Sequence, residues 1–206
     1  MGKIEADAFG RIPGETPIDP SKLKPAFRWI RIRSQLAEVE AGVVGLVHAK
    51  YLHGKPDRRT APFTLRWMLM VNREMFGKVW AWAGRRRGIK LAGIGLSPWQ
   101  IEPQLIELIR DMEVWGRTGM PLMEQATRMH HRGVFIHPFE NGNGRWARLL
   151  SNIWLKQHGS PVVVWPDKDL VGCSSPIREE YIQHLKSADG GDIGPLIALH
   201  ERHLAP

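Results

Sequence analysis

Residues 132–148 read RGVFIHPFENGNGRWAR, and the rest of the 206-residue chain is organised around them. The stretch opens on residues of helical character, breaks at His137-Pro138, crosses a Gly/Asn-rich loop and re-enters a helix carrying Arg145 and Arg148. Proline disfavours the α conformation for the residue before it, so His137 is expected at the end of one helix, its imidazole facing the loop. Gly142 and Gly144 permit a backbone path whose N–H groups point inward, at a helix start where the dipole favours negative charge. Phosphate fits such a cradle. Arg145 and Arg148 are three apart, hence neighbours on one helix face, and guanidinium forks bind phosphate oxygens bidentately. An imidazole beside a phosphate cradle is suited to proton abstraction near neutral pH.

Competing readings of these residues fail on context. Gly142 to Ala147 satisfies the dinucleotide pattern G-x-G-x-x-A, but that fingerprint must follow a strand, and here a helical run and a proline precede it. No Gly-Lys-Ser/Thr occurs, so there is no Walker A motif. His130, His131 and His137 could be taken for a metal cluster. Adjacent helical residues face about 100° apart, however, and no acidic residue stands at a ligand spacing. His130 and His131 therefore read as helix-surface or core-edge residues, and Phe139 and Trp146 as packing residues that anchor the loop.

His137-Pro138-Phe139, then Gly142-Asn143-Gly144-Arg145, then Arg148, resembles the motif HPFx(D/E)GNGRxxR of the Fic family, enzymes that typically move AMP from ATP to a protein hydroxyl. The resemblance implies an all-α, single-domain helical bundle with a small β-hairpin flap. It implies His137 as the catalytic base, and Asn141, Gly142, Asn143, Gly144, Arg145 and Arg148 as the nucleotide-binding set. The flap, at about 85–97 and centred on Gly93, Ile94 and Gly95, would pin the target's main chain beside the loop. Where the family usually has an acid that helps hold Mg²⁺, this chain has Asn141, a neutral and weaker ligand for a hard cation. ATP is then the implied substrate, with Mg²⁺ carried mainly through its phosphates. TPIDP near the start, VWAWAG before the flap, HHR ahead of the motif and GDIGPLIAL at the end are similar to the subgroup called mobile mystery protein B, which also tends to carry asparagine at the metal position.

Many Fic proteins are restrained by a helix bearing [S/T]xxxE[G/N], whose glutamate would pair with Arg148. Ser34 to Glu38 is followed by Val39, and Ser175 to Glu179 by Glu180, so neither completes that pattern. The implied inhibitor is a separate partner protein, with this chain as the toxin half of a toxin–antitoxin pair acting on a Ser, Thr or Tyr of a target. Two alternatives remain open: a phosphotransferase that binds its nucleotide reversed, as members with a degenerate loop do, and a catalytically weak nucleic-acid- or protein-binding module.

With 43% hydrophobic residues and nine tryptophans to fill it, the chain can bury a core of one ordinary to large domain. The single cysteine, Cys173, excludes an internal disulfide framework and fits a reducing cytoplasm. No apolar leader or membrane-length span occurs, so a soluble, cytoplasmic protein is expected, with no membrane partner. The net charge of +8 and pI near 10.0 raise nucleic acid as a partner. The charge is dispersed without RNA-binding or zinc signatures, which weighs against that.

Residues 1–24 read as an irregular arm rich in Gly, Pro and charge, and 25–206 as the helical domain, with the motif loop at 137–148. A helix is expected from Pro25, with Leu36, Val39, Val43 and Leu46/Val47 as its stripe, ending near Gly54. Others should start near Thr64, at Pro103, at Pro121 and at about Asn143, the last ending at His158-Gly159. Ser175-Pro176 should cap a further helix, and a last one should follow Asp192.

Overall fold

The computed structural model describes residues 9, 16–91, 93–170 and 175–206; Cys173 and most of the expected arm lie outside them. The fold is all-α. Two 3-10 turns, Pro20–Lys22 and Pro25–Phe27, precede α1 (Arg33–Leu52), α2 (Leu65–Phe76), α3 (Pro98–Trp115), α4 (Leu122–Ile136), α5 (Asn143–Gln157), α6 (Asp167–Leu170), α7 (Pro176–Asp189) and α8 (Gly194–Arg202).

The motif sits at the hinge of a helical pair, α4 and α5, which form the most extensive interhelical contact. Gly133 explains how closely they approach, since a Cβ there would lie 3.0 Å from the Ala147 Cβ. α5 is the central helix. Trp146, Leu149, Ile153 and Leu155 are fully buried in it, and the Trp146 indole N–H donates to the Met68 carbonyl of α2 at 2.9 Å. α1 and α2 pack on α5, α3 packs on α4, and α7 and α8 pack on each other and on α4. Thr64 caps α2 through its hydroxyl, and Ser175 caps α7 with Pro176 at the first position, as expected of those residues. Gly159, past the end of α5, takes φ +81°.

Three expectations are corrected. α1 begins at Arg33 rather than Pro25, because Pro25–Phe27 closes as a 3-10 turn and Ile32 is extended. Its buried side is Leu36, Glu40, Val44, Val47 and Tyr51, with Leu46 left exposed, so an acid replaces an apolar residue in the stripe. α3 opens at Pro98, where the Gln100 side-chain oxygen accepts from the Ser97 N–H at 3.1 Å. Pro103 is therefore interior to α3, at the loss of one backbone hydrogen bond. The burial of Ile101, Leu105, Leu108 and Met112 outweighs that loss. Finally, the flap is no regular hairpin. Among the described residues β structure is confined to isolated bridges, and the flap holds one, Leu91 to Ile94, beside Gly93 at φ +68°. Among these residues no helix is long and apolar enough to cross a membrane.

Candidate active site

His137 ends α4 in the left-handed region, at φ 53° and ψ 60°. A non-glycine residue there is strained by about 1–3 kcal/mol and persists only when its surroundings over-determine it. Arg87 does much of the holding. It is 2% exposed; its backbone N–H donates to the Pro138 carbonyl at 2.9 Å and its Nε to the His137 carbonyl at 2.7 Å. The rest of its fork donates to the carbonyls of Ile89, at 2.7 Å, and Leu96, so one guanidinium ties both ends of the flap to the motif. Gly95, at φ +68°, faces His137 so closely that a Cβ would come within 2.3 Å of the histidine Cβ. Of the expected flap residues, Gly95 therefore adjoins His137, while Gly93 is exposed and Ile94 pairs with Leu91.

Burial first, and the Arg87 charge second, push the His137 imidazole down to about 4, against a hydrogen bond with the Val134 backbone that raises it. The ring is thus neutral at physiological pH. Its Nε2 lies 3.1 Å from the Thr16 hydroxyl, and the assignment consistent with the Val134 backbone bond puts the proton on Nδ1. That assignment leaves Nε2 with the lone pair and makes Thr16 Oγ1 the donor.

The loop is built as the glycines require. Gly142 takes φ +75°, and a Cβ there would meet the Phe76 ring carbons at 2.6 Å. Asn143 does not face a ligand: its oxygen accepts from the Phe139 N–H and its amide donates to the Phe139 carbonyl, both at 2.9 Å. It staples the loop from inside, while Phe139 and Trp146, both fully buried and edge-to-face at 5.1 Å, form its floor. Asn141 turns its oxygen to the Gly142 N–H at 2.6 Å and its amide to the Thr16 carbonyl at 3.3 Å. The oxygen at the metal position is neutral and already committed to the loop, so the residues present do not fit a protein-held Mg²⁺.

The structure brings His137, Asn141, Gly142, Asn143, Gly144, Arg145 and Arg148 around one pocket. Both arginines are engaged by carboxylates. Arg145 pairs with buried Glu40 at 2.7 Å and lies 4.7 Å over the Phe76 ring, and Glu40 also accepts from the Trp80 indole. Arg148 pairs at 2.8 Å with Asp167, whose side chain is 46% exposed. The Arg148 guanidinium also lies 5.8 Å over the ring of Tyr181, whose hydroxyl points into the helical pair. That hydroxyl is 2.9 Å from His130 Nε2, and His130 Nδ1 is 2.8 Å from His200 Nε2. His130 is accordingly fully buried, not at a helix surface. Burial holds its titration well below the ordinary histidine range and lowers His200 to about 3.

Five residues of this site escaped sequence reasoning: Thr16, Glu40, Arg87, Asp167 and Tyr181. Thr16 lies in the TPIDP segment and Arg87 in a run of three arginines, but nothing local distinguishes Arg87 from its exposed neighbours.

A Fic/DOC family model matches residues 62–155. The protein adenylyltransferase Fic of Nematostella vectensis is 30% identical over 165 residues, covering 75% of this chain and 36% of that protein. Protein adenylyltransferase fic-1 of Caenorhabditis briggsae is 33% identical over 103 residues, covering 48% of this chain and 19% of the relative. The chain thus spans about a third or less of the length of these relatives. Among solved structures, Fic-1 of C. elegans is similar with a TM-score of 0.59 and 28% identity, covering 68% of this chain and 40% of that one. The BepC protein of Bartonella tribocorum, solved with bound AMPPNP, matches in fold with a TM-score of 0.66 at 18% identity, over 98% of this chain and 99% of its own. Residues 62–155, which run from α2 through nearly all of the α4–loop–α5 unit, are thus a Fic/DOC family domain.

Proposed function

We propose that this chain is a protein adenylyltransferase, transferring AMP from ATP to a hydroxyl side chain of a target protein. The observation that carries the reading is a neutral imidazole whose Nε2 lone pair faces a hydroxyl at the mouth of the Gly142–Gly144 anion cradle. The adenylyltransferase names of the Nematostella and Caenorhabditis relatives, and the ATP analogue in the Bartonella structure, support it. ATP would lay its phosphates against the loop N–H groups and Arg148. His137 Nε2 would take the proton of a Ser, Thr or Tyr as its oxygen attacks the α-phosphorus in line and pyrophosphate departs. Mg²⁺ would arrive on the phosphates rather than on Asn141.

A finer reading makes the chain a mobile mystery protein B toxin held by a separate antitoxin. Within the chain, the carboxylate on Arg148 comes from Asp167 rather than from Glu38 or Glu179. A second reading, a catalytically restrained binding module, is favoured by the pairing of both arginines with carboxylates.

ATP labelled at the α- or at the γ-phosphate, incubated with the protein, Mg²⁺ and host lysate, separates these. Label entering lysate proteins only from the α-position, and lost in His137→Ala, is the expected result; expression should then arrest growth only with His137 intact. Transfer from the γ-position would mean reversed nucleotide binding, and no transfer at all the restrained module.

A further inference from the structure

Charge that is dispersed along the sequence is gathered by the fold. Residues 20–37 and 75–101 contain no Asp or Glu and five Lys or Arg each. Backbone pairing joins the two stretches: Leu23 bridges Trp80, the Lys24 N–H donates to the Val79 carbonyl at 2.9 Å, and the Ala81 N–H donates to the Lys22 carbonyl at 3.0 Å. Side chains add to the seam, since Lys24 donates to the Gly77 carbonyl, Arg85 to that of Ala81 at 2.6 Å, and Arg31 folds back on that of Arg28. Arg86 and Arg87 are committed elsewhere, to Glu102 and to the flap carbonyls. Lys22, Lys24, Arg28, Arg31, Lys78 and Arg85 are exposed, and none of them pairs with a carboxylate among the described residues. Like charges held together without counter-charges raise a local positive potential, which attracts a polyanion. Beside Arg28 stands Trp29, 54% exposed and in contact with no other aromatic ring among the described residues. An unpartnered indole on a basic surface is a platform on which a nucleobase stacks.

We propose that this face binds single-stranded nucleic acid. The six cations take backbone phosphates, and Trp29 takes a base by stacking, a contact open to every base and therefore tolerant of sequence. A duplex keeps its base faces covered and offers the indole nothing to stack on. A lipid surface suits the face less well, because basic membrane anchors present the apolar side of an amphipathic helix, whereas Lys22 to Arg28 lie on two 3-10 turns. An acidic protein segment would engage the cations but give Trp29 no planar ring. None of these residues lines the motif pocket, so binding here goes beyond the AMP-transfer reading and does not need His137.

The test follows the fluorescence anisotropy of a labelled oligo-dT of about 20 nucleotides, long enough for at least one such site, as the full chain is titrated in across a salt series. Wild type is compared with Trp29→Ala, Trp29→Phe, His137→Ala and the double variant Arg28→Gln, Lys78→Gln. Arg58→Gln with Arg59→Gln is the control, removing the same charge from exposed cations outside the face. The expected result is binding whose log affinity falls with log salt by about 0.7 per phosphate contacted, a slope that the Arg28, Lys78 variant makes shallower by about 1.4. That variant should lose about tenfold in affinity at low salt and the control less than about twofold. Trp29→Ala should also lose about tenfold, and Trp29→Phe should recover most of it by restoring a ring. The substituted side chains are exposed, so an unchanged denaturant midpoint shows that each variant is folded. His137→Ala should bind as wild type does, and so keeps this result separate from any outcome for AMP transfer. No binding at low salt, equal losses in the face and control variants, or indifference to Trp29→Ala overturns the inference. Tighter binding to phosphatidylserine vesicles than to oligo-dT, lost in the same variants, assigns the face to lipid and also overturns it.

Discussion

At its histidine end the motif presents a neutral imidazole, held by Arg87 and Val134, whose Nε2 is in hydrogen-bond contact with the Thr16 hydroxyl. At its arginine end both guanidinium groups are already neutralised, Arg145 by buried Glu40 and Arg148 by half-exposed Asp167. The two ends differ in what must happen before a nucleotide can react. On the reading proposed above, His137 would need only a substrate, whereas an incoming phosphate would have to displace a carboxylate. The arginine end itself divides. The side chains of Arg145 and Glu40 are 15% and 8% exposed, so breaking that pair strands a largely shielded charge; the Asp167 side chain is 46% exposed, so water compensates the released carboxylate. On the AMP-transfer reading proposed above, Arg148 is the arginine that would take a phosphate, while Arg145 braces α5 against α1 through Glu40.

The largest expected effect tests the neutrality of the histidine end and its surroundings. Buried His200 titrates at about 3 and part-buried His137 at about 4, against 6.5 for the unfolded residue, with His130 also well below it. Below pH 6.5 the unfolded chain binds protons that the folded chain refuses. Stability is thus fully present above pH 6.5 and declines as the pH falls towards about 3, with His200 alone contributing on the order of 5 kcal/mol over that range. Denaturant unfolding at a series of pH values checks this; a midpoint unchanged between pH 7 and pH 4 would contradict it.

Glu40→Gln separates the two arginines by stability. It leaves the largely shielded Arg145 guanidinium without its counter-charge and should cost about 2 kcal/mol, read as a lowered denaturant midpoint. A loss no greater than that of Asp167→Asn would erase the distinction drawn between the pairs. The smallest effect is Asp167→Asn itself. It frees Arg148 at little cost in stability and should tighten ATP binding about three- to tenfold, by an amount that salt diminishes, measurable by calorimetry. Unchanged affinity would mean that the Asp167 pair does not compete with phosphate.

Several elements were legible from neighbouring residues because their causes are local. The bounds of α5, the break at His137 and the glycine-dependent loop follow from proline sterics, positive φ and capping within a few positions. The same local rules misplaced the start of α3. Pro98 and Pro103 both suit a first turn, and Pro98 was decided by Ser97 with Gln100 and by the buried row from Ile101 to Met112. Helical periodicity also misled in α1, where a buried glutamate sits in the apolar row because its partner, Arg145, is supplied by α5. His130 read as peripheral for the same reason: His200 and Tyr181, which satisfy its ring nitrogens, lie 70 and 51 residues away.

By itself the sequence determined the all-α class, the α4–loop–α5 unit and the place of His137 and the glycine loop at its turn, since each rests on bonded geometry or on residues at most a few positions apart. Only the tertiary structure decided what those groups face. Thr16 meets His137 from 121 residues away, Arg87 from 50, and Glu40 meets Arg145 from 105. Such pairs depend on which helix faces the packed core brings together, and no periodicity or capping rule acts over that distance.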